Sequence, residues 1–62
     1  MTRRTIARYY DGHVAAGVMR RLRLSLPILS WSELRVTMIN GDRLQVEPSE
    51  DHEWFNLVEV TA

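Results

Sequence analysis

The chain has 62 residues, no cysteine and no lysine, and its eight arginines balance eight carboxylates to a formal net charge of zero. A domain this small buries only about 60% of its unfolded surface, and one such core rarely supplies more than roughly 3–5 kcal/mol. The lack of cysteine excludes a disulfide, a thiolate metal site and a cysteine nucleophile, so self-association or a partner is the expected source of extra stability.

No apolar run approaches 18 residues, and Met1–Thr5 is not followed by the apolar stretch of a signal peptide. The expectation is a cytoplasmic protein without membrane contact, monomeric or homodimeric. The zero net charge conceals a segregation. Residues 1–26 carry six arginines against Asp11 alone, a balance of +5, and residues 27–62 carry two arginines against seven carboxylates, a balance of −5. Such halves read either as a basic arm and an acidic end, or as surfaces that neutralise each other within the fold or between subunits.

In chain order, residues 5–10 (TIARYY) are β-prone and predict a first strand. Asp11-Gly12 breaks it, with Asp11 placed as a helix N-cap. From His13 to Leu26 the apolar residues Val14, Val18 and Leu22, with Ala15, Met19 and Leu26 beside them, fall at helical spacing in a stripe wide enough to cover a sheet. Pro27 stops the helix and biases Leu26 towards extended backbone. Gly17 in mid-helix hints at a close backbone neighbour, since it costs up to about 1 kcal/mol relative to alanine. Residues 28–33 read as a connector, with Trp31 capping one end of the core.

Leu34–Val46 (LRVTMINGDRLQV) carries the clearest local signal, period-2 alternation on both sides of Asn40-Gly41. A two-residue Asn40-Gly41 loop would set the apolar residues of the two strands on opposite faces, which burial forbids. A three-residue Asn40-Gly41-Asp42 loop pairs Met38 with Leu44 and Val36 with Val46, and requires positive φ at Gly41 or Asp42. Arg35, Ile39, Arg43 and Glu47 then share a mainly polar second face. Residues 49–60 admit two readings: a short helix from an N-cap at Ser49 through Trp54, Leu57 and Val58, or a strand over 55–60. The strand is preferred for its β-branched alternation. The whole predicts an α+β two-layer sandwich, β-α-β-β-β, with one helix on one face of a small mixed sheet. A strand–helix–strand order normally makes a right-handed crossover between parallel strands.

No motif names a reaction. Asp51-His52-Glu53 is the only cluster able to bind metal or move protons, and consecutive loop residues rarely converge on one ion. The serines lack a nucleophile elbow, there is no Gly-rich phosphate loop, and the core is too small to enclose a reacting centre. No catalytic residue, metal or cofactor is expected, which leaves binding. Arg20 and Arg23 lie opposite the apolar stripe with Arg21 at its edge. With Arg3, Arg4 and Arg8 from the first strand they form a candidate phosphate-binding patch, beside Tyr9 and Tyr10 as stacking surfaces for RNA or DNA. The competing reading is a solvated helix face. In the acidic half, Glu47, Glu50, Asp51 and Glu53 beside Trp54 and Phe55 form an anionic surface with aromatic anchors, suited to a basic groove of a nucleic-acid-handling protein. There the competing reading is that Trp54 and Phe55 close the core.

Two resemblances bear on these readings. Met38-Ile39-Asn40-Gly41-Asp42-Arg43-Leu44-Gln45 resembles the strand–turn–strand of Sm-like RNA chaperones of the Hfq type, and Asn56-Leu57 falls where many of them carry an asparagine in the RNA-binding loop. That resemblance, over residues 36–57, implies a ring oligomer with Asn56 near a base pocket. As a small, cysteine-free, charge-segregated α+β chain, the protein also resembles in kind the phage and prophage inhibitors of the anti-CRISPR type. This implies stoichiometric docking, without catalysis, on a host protein or nucleoprotein complex.

Overall fold

A computed structural model describes all 62 residues. The elements run β1 (Thr2–Tyr9), α1 (Gly12–Ser25), β2 (Ile28–Trp31), β3 (Arg35–Met38), β4 (Arg43–Pro48) and β5 (Phe55–Thr61). The strands form one sheet in the order β1-β5-β4-β3-β2, antiparallel at every step, with α1 packed on one face. The α+β two-layer architecture is as the sequence predicts, and residues 55–60 are strand rather than helix.

The sheet itself differs in two respects. Ile28–Trp31, read as a connector, is a fifth strand. Its alternation is hidden because the register slips between Ile28 and Ser30, so Leu29 is an extra residue in a bulge. The sheet is also not mixed. The crossover through α1 carries the chain from one edge strand to the other, so β1 and β2 never pair. The free edge of β1 is instead taken by β5, the last strand, which lies between β1 and β4.

Local chemistry sets the helix ends. The Asp11 carboxylate accepts a hydrogen bond from the His13 backbone N–H at 2.7 Å, an N-cap that satisfies one orphan donor of the first turn. At the other end Leu26 is extended (φ −106°, ψ 153°), as a residue before proline must be. The buried stripe is rotated from the expected one. Ala15 and Met19 sit at its centre, 0% and 1% exposed, flanked by Val18, Leu22 and Leu26, whereas Val14 is 53% exposed. Small residues at the helix N-terminal end let α1 lie close to the sheet, against Val36, Leu44, Val46 and Leu57. Gly12 serves the same contact: a Cβ there would stand 3.3 Å from Phe55 Cζ. Gly17 does not. A Cβ at Gly17 meets nothing nearer than Arg20 Nη2 at 3.9 Å, so no backbone approaches it.

The β3–β4 hairpin has the odd loop that burial demands, one residue earlier than expected. Val36 pairs with Leu44 and Arg35 with Gln45. Met38 N–H donates to the Asp42 carbonyl and Gly41 N–H to the Met38 carbonyl, so the loop is Ile39-Asn40-Gly41. Gly41 closes it at φ +93°. Asp42 leads from the loop into β4: its carbonyl takes the Met38 N–H, its Oδ1 accepts from Ala62 N–H, and its own N–H donates to Asn40 Oδ1. Trp31 does not cap the core. It is 60% exposed, with the Arg23 guanidinium 3.7 Å above its ring centroid.

Candidate binding surfaces

Cross-strand pairs put side chains on a common face, and the registers assign each arginine. Leu44, Val46 and Leu57 face α1, and so do their partners Val36, Glu59 and Ala7. Arg3 pairs with Val60, Arg8 with Asn56, Val60 with Arg43 and Gln45 with Arg35. Arg3, Arg8, Arg35 and Arg43 therefore all lie on the face turned away from the helix. The only carboxylate on that face of the strands is Glu47, paired with Asn56. The face is not simply wet. Gln45, Val58 and Val60 are buried on it at 9%, 3% and 2% exposure. The Arg3–Glu47 ion pair, 2.7 Å between Nη2 and Oε1, joins β1 to β4 across β5, and arginine stems supply apolar cover.

The six arginines singled out from the sequence do not form one patch. Arg3 and Arg8 are on the open sheet face, and Arg4 faces the helix side, bridged to Glu59 at 3.1 Å. Arg20 and Arg21 are exposed on α1, and Arg23 covers Trp31. Both ion pairs run from the basic N-terminal strand to carboxylates of the second half, so part of the segregated charge, that of Arg3 and Arg4, is neutralised within the fold. Tyr9 pairs with Phe55 on the helix side and packs at the edge of the core, and Tyr10 stacks on Trp54 with centroids 3.8 Å apart.

The acidic residues are divided likewise. Glu47 lies on β4, where the hydrogen bond from Gln45 Nε2 holds its carboxyl below its ordinary pKa; burial opposes this, and the bond from Arg3 adds to the lowering. Phe55 packs into the core over Gly12 and is not an exposed anchor. Glu50, Asp51 and Glu53 remain exposed in the turn between β4 and β5. That turn is built by Ser49, whose hydroxyl donates to Asp51 Oδ1 and accepts from Trp54 N–H, while its backbone bonds to Trp54 and His52. Asp51 Oδ1 also accepts from Glu53 N–H, and His52 takes φ +62° to close the turn. The Ser49 hydroxyl, followed by the Glu53 N–H, holds the Asp51 carboxyl below its ordinary pKa. The turn borders a shallow open recess with Arg8, Trp54 and Asn56 on its walls.

Reasoning from sequence passed over Arg35 and Arg43 as binding residues. Their shared face was visible in the hairpin alternation. That Arg3 and Arg8 join them follows only from the β1–β5 pairing. No three His, Cys, Asp or Glu side chains gather as a metal site, and no helix is long and apolar enough to cross a membrane. No family model, curated protein or solved structure matches the chain.

Proposed function

We propose that this chain is a non-catalytic binding module that docks stoichiometrically on a protein that handles nucleic acid, in the manner of small phage-type inhibitors, through the acidic turn Ser49–Trp54. The observation that carries the reading is the preorganisation of that turn. Ser49 and Asp51 fix its backbone, so Glu50, Asp51 and Glu53 are presented to solvent with little ordering left for the moment of binding. Carboxylates carried on a fixed turn beside an aromatic stack complement a basic groove and steer its approach.

The test is capture of a partner from a host lysate by the immobilised chain, repeated with Glu50→Gln, Asp51→Asn and Glu53→Gln combined, and with Ser49→Ala alone. The triple variant is expected to lose the partner with a melting temperature close to the parent's, and Ser49→Ala to weaken capture with a melting temperature several degrees lower, since the turn loses the hydroxyl that holds it. A partner retained equally by the triple variant removes the acidic turn as the contact. A second reading, nucleic-acid contact through α1, is favoured by one observation: Arg20 and Arg21 are exposed and form no ion pair.

A further inference from the structure

We infer that the sheet face turned away from α1 is a binding surface for single-stranded nucleic acid, a role that goes beyond the acidic-turn docking and does not rest on it. Three strands contribute guanidinium groups to one face: Arg8 and Arg3 from β1, Arg43 from β4 and Arg35 from β3. Against Glu47, the one carboxylate on this face of the strands, this leaves a net +3, with Glu50 and Asp51 of the β4–β5 turn bordering the recess at the Arg8 end. Glu47 is already bridged to Arg3, while Arg8, Arg35 and Arg43 have no carboxylate within ion-pairing distance. A neutral chain that spends three unpaired arginines on one open face, with no second layer over it, is built to meet an anion.

Three features narrow the anion to a nucleic-acid strand. Arginine pairs with phosphate in a two-pronged fashion and also stacks on bases, so an all-arginine face fits a phosphodiester chain. At the end of the face next to Arg8, the stacked Tyr10–Trp54 pair presents Tyr10 at 77% exposure, a platform for an unpaired base. The face also holds the protein's two buried amide oxygens that lack a hydrogen-bond partner, Gln45 Oε1 and Asn56 Oδ1. Such orphaned acceptors call for a donor. Gln45 is held by its bond to Glu47, but Asn56, on the wall of the recess beside Arg8, makes no side-chain hydrogen bond and can turn outward to a base amino group, a donor that phosphates and carboxylates lack. Bases reach a sheet surface in this way only when unpaired, which selects a single strand over a duplex.

The measurement is fluorescence anisotropy with a labelled 12-nucleotide single strand of mixed sequence, as RNA and as DNA, alongside the same sequence as a duplex, from 20 to 200 mM salt. Three phosphate contacts give a log–log salt slope of about −2 for a single strand. Arg8→Gln with Arg35→Gln, both at exposed positions, is expected to lower affinity at least tenfold and to flatten the slope by about 1.4. Arg20→Gln with Arg21→Gln is expected to cost less than the sheet pair, and neutralisation of Glu50, Asp51 and Glu53, the first two lining the recess beside Arg8, to raise affinity. The inference is overturned by no binding at 20 mM salt, by equal or tighter binding of the duplex, or by a greater loss from the helix pair than from the sheet pair. Amide shift mapping of the parent with the oligonucleotide is the independent readout. Shifts along β1, β4 and β3 support the assignment, and shifts confined to α1 overturn it.

Discussion

Arg3 on β1 donates to Glu47 on β4 at 2.7 Å across the intervening β5, so the first strand of the chain is tied to the acidic half by a side chain as well as by the sheet ladder. Both partners are partly solvated, with side chains 56% and 32% exposed, and such pairs contribute about 0.2–1 kcal/mol. The carboxyl of Glu47 is held below its ordinary pKa first by the Gln45 amide and next by Arg3. A group with a depressed folded-state pKa stabilises fully above its unfolded pKa and loses that contribution as pH falls through the folded value. Glu47→Gln is therefore expected to cost about 0.5–1 kcal/mol at neutral pH, and its deficit relative to the parent should vanish in acid below the carboxylate range. Urea midpoints at pH 7 and in strong acid check this; a constant deficit at both would contradict it.

Met19 is the largest side chain on the helix that is fully buried, at 1% exposure, and it meets the sheet at the centre of the core. Truncation of a buried methionine to alanine costs about 2–5 kcal/mol, comparable with the roughly 3–5 kcal/mol that a core of this size provides. Met19→Ala is expected to be largely unfolded at 25 °C by circular dichroism. Val14→Ala, at a position 53% exposed on the same helix, is expected to stay folded with a melting temperature near the parent's.

Gly17 faces open space in mid-helix, with nothing but Arg20 Nη2 at 3.9 Å from a notional Cβ. Gly17→Ala should stabilise the protein by about 0.5–1 kcal/mol through helix propensity and a less flexible unfolded chain. Thermal melts read this directly, and a lower melting temperature would reveal a neighbour the fold does not show.

Gly41 is the opposite case. It closes the β3–β4 loop at φ +93°, and a Cβ there would come within 3.2 Å of the Ala62 Cβ. Gly41→Ala is expected to destabilise by about 1–2 kcal/mol, mostly from the left-handed backbone. A Gly41→Asn variant should recover part of that loss, since asparagine tolerates positive φ better.

How the chain could be read divides along the range of the interactions involved. Asp11 capping α1, Pro27 ending it, positive φ at Gly41 and the shared face of Val36 and Leu44 are consequences of neighbouring residues and of period, and each was legible in the sequence. The bulge at Leu29 masked β2, because one inserted residue breaks the alternation by which a strand is recognised. The one-residue displacement of the hairpin loop was not legible locally, because loops centred on Asn40 and on Gly41 both keep the apolar residues of β3 and β4 on one face. The binding surfaces lay further out of reach. Whether Arg3 and Arg8 stand with Arg35 and Arg43, and whether Arg4 is consumed by Glu59, depends on β5 lying between β1 and β4. That partnership links residues from 46 (Tyr9 and Phe55) to 59 (Thr2 and Thr61) positions apart, and antiparallel pairing is specified by edges and registers that appear only once the sheet has assembled.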